Sequence, residues 1–133
     1  MPTFYSYLLV GLGSALGGMA RHWVTGLIAS RWGTGFPWGT LVVNVAGSLL
    51  IGILAAGLMP GGRWFLPLPA RELLIVGVLG GYTTFSAFSL QTFMLLERGD
   101  WLRAGGNVVL SIVLCLAAVA LGYLLATSAL RAA

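Results

Sequence analysis

Four stretches of the chain are long and apolar enough to cross a bilayer as helices, each of which needs about 20 mostly apolar residues. They cover approximately residues 4–29, 38–59, 73–96 and 102–130. Of the 133 residues, 59% are hydrophobic and only 8% are charged, whereas a soluble domain carries roughly 25% charged residues. The sequence therefore predicts an all-α membrane protein, a single domain over residues 1–133 with four transmembrane helices.

The third apolar stretch is unusual at its centre, where residues 77–92 read GVLGGYTTFSAFSLQT. The pair Gly80 and Gly81, and then the β-branched pair Thr83 and Thr84, weaken a helix locally. At membrane depth, interrupted backbone is tolerated only where protein buries it or where it lines a wet cavity. We predict that the third helix is broken near its middle and builds a site for a small solute.

The connections between the helices carry glycine and proline, because glycine supplies positive φ and proline cannot continue a helix. These signals lie at residues 33–37, at residues 60–62 with Pro67 and Pro69, and around Gly99. Four helices joined in this way place both chain termini on one side of the membrane.

The arginines that flank the predicted helices give no preferred orientation. They divide three against three between the two sides: Arg63, Arg71 and Arg131 against Arg31, Arg98 and Arg103. By the positive-inside rule, either a bias lies elsewhere or the protein inserts both ways up, and two opposite copies then form an antiparallel, dual-topology homodimer. Because the basic residues are few and scattered, no nucleic-acid partner is expected.

Polar side chains on the second predicted helix repeat every four residues and therefore share one face. They are Thr40, Asn44 and Ser48. The carboxamide of Asn44 is costly in hydrocarbon without partners. It either bonds to a neighbouring helix or donates to a permeating ion.

Phe85 and Phe88 lie three residues apart in the predicted broken segment and share a face. Their ring edges carry partial positive charge and can face an anion without a formal charge. Core packing is the simpler interpretation of a phenylalanine pair alone. The hydroxyls of Thr83, Thr84 and Ser86 beside it favour a site, and carbonyls released by a break can bind a cation.

The fourth helix and the first each add one candidate feature. Asn107, Ser111 and Cys115 form a weakly polar track, although membrane serines often bond only to their own backbone. Arg21 is a basic side chain inside the first predicted span. It either has a functional role or extends to the membrane interface.

No carboxylate lies inside a predicted span, which disfavours a proton-coupled cation exporter. The sequence has no cluster of His, Cys and acidic residues for a metal and no nucleophile with a base for hydrolysis, so an enzyme is not expected. Neutral donors, ring edges and one arginine select for a small anion.

Four strings in the chain resemble the Fluc (CrcB) family of bacterial fluoride channels. In order they are GGMAR at 17–21, FPWGTLVVN with AGS after it at 36–48, GVLGGYTTFSAF at 77–88 and LERG at 96–99. They lie on the first three helices, and GT-x-x-x-N together with GG-x-TTFS-x-F is the specific combination. The chain departs from the usual TTFSTF string at Ala87 and has a thin polar track at Cys115 and Val119.

The resemblance implies a fluoride-selective channel that passively exports fluoride and lowers its cytoplasmic concentration. It implies a multi-pass protein of the bacterial inner membrane and an antiparallel homodimer with two pores. In this scheme Asn44 donates to fluoride, Phe85 and Phe88 supply the ring edges, Ser111 belongs to the polar track, and Arg21 lies near the pore entrance.

The hydroxyls of Thr40, Thr84 and Ser86 complete the candidate fluoride pathway, since a strongly hydrated ion needs closely spaced donors. The resemblance also implies a structural sodium ion at the dimer interface, held by backbone carbonyls near Gly80 and Thr83. The alternatives are a small dual-topology transporter of the multidrug type, which uses a membrane-embedded Glu that this chain lacks, and a non-transporting scaffold.

Overall fold

A computed structural model of the chain describes residues 3–58 and 66–132, and every regular element in these ranges is helical. Helices α1 and α2 span Phe4–Trp32 and Trp38–Leu58. Helix α3 runs over residues 68–82 and contains eight π-helical residues, Glu72–Leu79. Helix α4 spans Phe85–Glu97, and α5 spans Trp101–Ala132. The predicted turn at 60–62 and Arg63 lie outside the described residues.

Three stretches are long and apolar enough to cross a membrane: Trp38–Leu58, Leu68–Glu97 and Trp101–Ala132. Helix α1 has 29 residues but does not join them, because Arg21, His22 and many small or hydroxyl residues reduce its apolar character. The all-helical prediction is confirmed for the described residues, and the expectation of four sufficiently apolar spans holds for three.

The helix ends follow local chemistry. The Thr3 hydroxyl accepts the Ser6 N–H at the start of α1, and Gly33 and Gly99 each have φ of +75° in turns that follow helices. The third apolar stretch becomes helical at residue 68, five residues before the predicted start at 73. Pro69 explains the difference, because proline fits the first helical turn, where its missing N–H has no role.

Glycines bring the backbones of α1 and α3 into contact. A Cβ on Gly13 would lie 2.5 Å from the Leu73 carbonyl oxygen, and one on Gly81 would lie 2.6 Å from the Ser14 carbonyl oxygen. Gly52 and Gly122 allow the same approach between α2 and α5. Such close packing of small residues is the usual adhesion between membrane helices.

Of the two pairs expected to weaken the third helix, the glycine pair is not where the helix is interrupted. Gly80 and Gly81 are helical, and extended backbone instead occupies Thr83 (φ −81°, ψ 158°) and Thr84 (φ −155°, ψ 117°). Gly81 serves the close contact with Ser14. The two threonines, which we call the Thr83–Thr84 junction, connect α3 to α4 in the middle of the molecule.

Candidate ion-binding site

The Thr83–Thr84 junction changes the hydrogen bonding of the α3 backbone. Both the N–H and the hydroxyl of Thr83 donate to the Leu79 carbonyl oxygen, at 3.0 and 2.9 Å. A continuous helix would next direct the Thr84 N–H to the Gly80 carbonyl. That N–H donates instead to Asn44 Oδ1 at 2.8 Å. The Gly80 carbonyl therefore loses its usual helical partner.

Asn44 holds the junction through two hydrogen bonds. Its Oδ1 accepts the Thr84 N–H, and its Nδ2 donates to the Thr84 carbonyl oxygen at 2.9 Å. The amide orientation is fixed because a backbone N–H can only donate. A primary amide has two N–H donors, so one Nδ2 hydrogen is left for another acceptor. Both interpretations of Asn44, bonding between helices and donation to an ion, are thus compatible with its geometry.

Arg21 reaches the junction from α1. Its Nη1 donates to the Thr83 carbonyl oxygen at 3.3 Å, and its side chain is half-buried. The guanidinium therefore points toward the protein interior at this position. The junction is held on one side by Arg21 and on the other by Asn44.

The junction also begins helix α4. The Thr84 hydroxyl accepts the Ala87 N–H at 3.2 Å and lies 3.2 Å from the Ser86 hydroxyl. This is an N-cap, which satisfies one of the donors that a helix start leaves open. Because the cap uses the Thr84 oxygen only as an acceptor, the hydroxyl hydrogen can be directed to Ser86 or to a ligand.

One cavity of about 470 Å³ unites most of the predicted site. Its wall contains Asn44, Gly80, Thr83, Thr84, Phe85, Phe88 and Ser111. The two phenylalanine rings have centroids 5.2 Å apart and planes inclined by 50°. Ile51, Ile112 and Leu116 make other parts of the wall apolar. We call this space the central cavity, and the residues that line it carry amide, hydroxyl and aromatic groups.

Three predicted pathway residues lie elsewhere. Arg21, Thr40 and Ser86 line a second cavity of about 500 Å³, and Thr84 lines both this and the central cavity. We call this space the Arg21 cavity. Thr40, although on the same helical face as Asn44, is 5% exposed and does not line the central cavity.

Gln91 is a residue that the sequence interpretation missed. It lines the Arg21 cavity and a further cavity of about 390 Å³, which also contains His22 and Arg98. Among the described residues, its buried Oε1 has no hydrogen-bond partner. Its position seven residues after Thr84 places it on the same face of α4, and this spacing could have revealed it.

The polar track on α5 also differs from the prediction. Ser111 and Cys115 line the central cavity, whereas Asn107 does not. Asn107 is 2% exposed, and its Nδ2 donates to the Thr92 hydroxyl at 2.8 Å. Thr92 was not singled out from the sequence. A threonine four residues after Phe88 is unremarkable until α5 is placed beside it.

Of the two carbonyl oxygens predicted to bind a monovalent cation, that of Gly80 fits this role better than that of Thr83. Gly80, whose carbonyl lacks its helical partner, is one of the residues that line the central cavity, and neutral carbonyls of unwound helices suit such ions. The Thr83 carbonyl already accepts a hydrogen bond from the positively charged Arg21. A cation at Thr83 would therefore require the guanidinium to move.

The described helices define a multi-pass membrane protein, with polar groups gathered where α3 meets α4. The chain belongs to the CrcB family, since the sequence model described as "CrcB-like protein, Camphor Resistance (CrcB)" matches residues 8–123.

Curated relatives cover almost the whole chain. A protein of Opitutus terrae is 56% identical over 120 residues, which is 90% of this chain and 91% of the relative. One of Methylocella silvestris is 50% identical over 92% of this chain and 93% of its own length. One of Rhodospirillum rubrum is 53% identical over 89% and 92%, respectively. Each of these relatives is named "Fluoride-specific ion channel FluC".

Proposed function

We propose that this protein is a fluoride-selective ion channel. The observation that carries the proposal is the central cavity, which Asn44, Phe85, Phe88 and Ser111 line together. The names of the relatives at 50–56% identity support the same function.

Fluoride is small and strongly hydrated, so a path must replace its water with closely spaced donors. Arg21 raises the local positive potential where the ion enters the Arg21 cavity. The hydroxyls of Thr40, Ser86 and Thr84 then lead to the central cavity. There the Asn44 N–H and the two ring edges stabilise the negative charge. Because none of these groups is a cation, the ion is bound weakly enough to leave again.

Conduction in this scheme is passive. The three acidic residues, Glu72, Glu97 and Asp100, lie near helix starts or ends rather than in the cavities described above. A transporter of the multidrug type is not favoured, because it uses an embedded carboxylate and the relatives named above are ion channels. We infer that the protein catalyses no chemical reaction.

We propose further that the functional unit is an antiparallel, dual-topology homodimer with two pores. Phe85 is 78% exposed although it carries a ring that the pathway needs. A second copy packed on this side would shield the ring and close the wall of the central cavity. The even division of flanking arginines supports insertion in both orientations.

A structural sodium ion at the dimer interface is a separate proposal. The Gly80 carbonyl, which lacks a helical partner, is the stronger candidate ligand, and the Thr83 carbonyl would join it once Arg21 withdraws. Such an ion would supply fixed positive charge between the two pores. Each chain offers two such oxygens, so the partner's pair would complete the site.

We place the protein in the bacterial inner membrane, where a passive channel lowers cytoplasmic fluoride whenever the gradient is outward. Growth of a fluoride-sensitive bacterial strain tests this role. The intact chain should restore growth at fluoride concentrations that stop the strain, and Phe85→Ile should not. Equal growth with and without the intact chain, at matched expression, would contradict the proposal.

A further inference from the structure

A hydrogen-bonded chain lies behind the wall of the central cavity and joins α5 to α4. The Asn107 Nδ2 donates to the Thr92 hydroxyl at 2.8 Å. The Thr92 hydroxyl donates in turn to the Phe88 carbonyl oxygen at 2.7 Å. Neither Asn107 nor Thr92 lines the central cavity, whereas Phe88 lines it directly.

This series of hydrogen bonds also includes a second residue of the cavity wall, Ser111. The Ser111 hydroxyl, which is part of the cavity wall, lies 3.5 Å from Asn107 Oδ1 and is oriented to donate to it. At this length the bond is weak. The hydroxyl hydrogen therefore has a resting acceptor that it can leave at low cost when an anion arrives.

Burial makes the Asn107 carboxamide rigid. Asn107 is 2% exposed, and a buried amide that loses its partners keeps its desolvation cost, so Thr92 and Ser111 constrain it to one arrangement. One side chain thus fixes the distance between the α4 backbone that carries Phe88 and the α5 hydroxyl opposite it.

We propose that Asn107 and Thr92 are a positioning pair for ion selectivity. They do not contact the ion. They hold the Phe88 ring and the Ser111 hydroxyl at the spacing that suits fluoride, and their loss lets the two helices adjust to larger anions. The link to selectivity rests on the proposed channel function, whereas the control of the Phe88 ring does not.

Ring position can be read directly by ¹⁹F NMR on protein with 4-fluorophenylalanine at position 88. Thr92→Val and Asn107→Leu should each shift or broaden the resonance, and the double variant should add nothing beyond either single change. Thr92→Ser keeps the hydroxyl and should retain the original signal. Thr127→Val is the matched control, since within the part of the chain that the structure describes the Thr127 hydroxyl bonds only to carbonyls of its own helix.

Measuring ion selectivity distinguishes a role in positioning the Phe88 ring and the Ser111 hydroxyl from a role in stability alone. In liposomes the fluoride-to-chloride flux ratio should fall by about tenfold in Thr92→Val and Asn107→Leu, the most that one net hydrogen bond changes an equilibrium. Thr92→Ser and Thr127→Val should keep the original ratio. The valine variant removes one hydroxyl and keeps the proposal testable if the leucine variant fails to fold.

An unchanged resonance in folded Thr92→Val and Asn107→Leu would overturn the proposal. A shifted resonance with an unchanged flux ratio would overturn it too, because the pair would then be structural only. If the unaltered protein does not favour fluoride over chloride, the proposed function fails. The resonance still decides in that case whether the pair positions Phe88.

Discussion

Two carboxamides, the half-buried Asn44 and the buried Asn107, organise this molecule at the scale of single residues. The Asn44 carboxamide makes two hydrogen bonds to the Thr84 backbone, and one of its N–H groups is not used in them. Asn107 donates to Thr92, which does not line the central cavity, and accepts a weak hydrogen bond from Ser111, which does. The sequence identified Asn44 as a costly group inside a helix and Asn107 as part of a weakly polar track. It could not assign their partners, because those partners are 40 residues away for Asn44 and 15 for Asn107.

The substitution Asn44→Asp should lower fluoride flux by about tenfold or more. A carboxylate can still accept the Thr84 N–H, but it loses the donor to the Thr84 carbonyl and adds a negative charge that repels the anion. Flux is measured in liposomes, and size-exclusion chromatography confirms that assembly is unchanged. Normal flux through a correctly assembled variant would show that Asn44 is outside the pathway.

Replacing either cavity phenylalanine with isoleucine should lower fluoride flux on the order of tenfold, because isoleucine has no positive ring edge and such an edge contributes about 1 kcal/mol. Phe93→Ile is the matched control. Phe93 lies on the same helix and is exposed, and it lines none of the cavities described here. If all three variants lose flux equally, the effect belongs to α4 as a whole rather than to the cavity rings.

At the scale of helices, apolar length predicted the bounds of α1, α2 and α5 and the end of α4 to within a few residues, since spanning a bilayer fixes helix length. The start of α3 was misplaced because Pro67 and Pro69 resemble a loop until the first helical turn is considered. The interruption was expected over both the glycine pair and the threonine pair, and the extended residues are the threonines, Thr83 and Thr84. The Asn44 carboxamide, a tertiary partner, takes the Thr84 N–H from the helix.

Close packing between α1 and α3 makes two adjacent glycines behave differently. A methyl group on Gly17 would overlap the backbone of Val78, so Gly17→Ala should reduce the free energy of unfolding by about 1–3 kcal/mol. Gly18 has open space around it, and Gly18→Ala should be neutral or stabilising by up to about 1 kcal/mol.

Thermal unfolding in detergent measures the difference between these two variants. Equal stability of Gly17→Ala and Gly18→Ala would show that α1 and α3 are farther apart in the membrane than they are here.

At the scale of the whole molecule, charge balance governs assembly. The arginines that flank the predicted helices are equal in number on the two sides of the membrane. A C-terminal tag should therefore be accessible on both faces in comparable amounts. Adding two arginines after Arg131 should shift most copies to one orientation and reduce the yield of dimers. Accessibility on one face only, in the original protein, would contradict the antiparallel dimer.

Ion efflux from liposomes that contain the purified protein tests the central claim most directly. A fluoride electrode records release after the membrane potential is collapsed, and a chloride electrode records the control. The account predicts rapid fluoride release with chloride release close to that of protein-free liposomes. Equal release of both anions, or release of neither from folded and dimeric protein, would contradict a fluoride-selective channel.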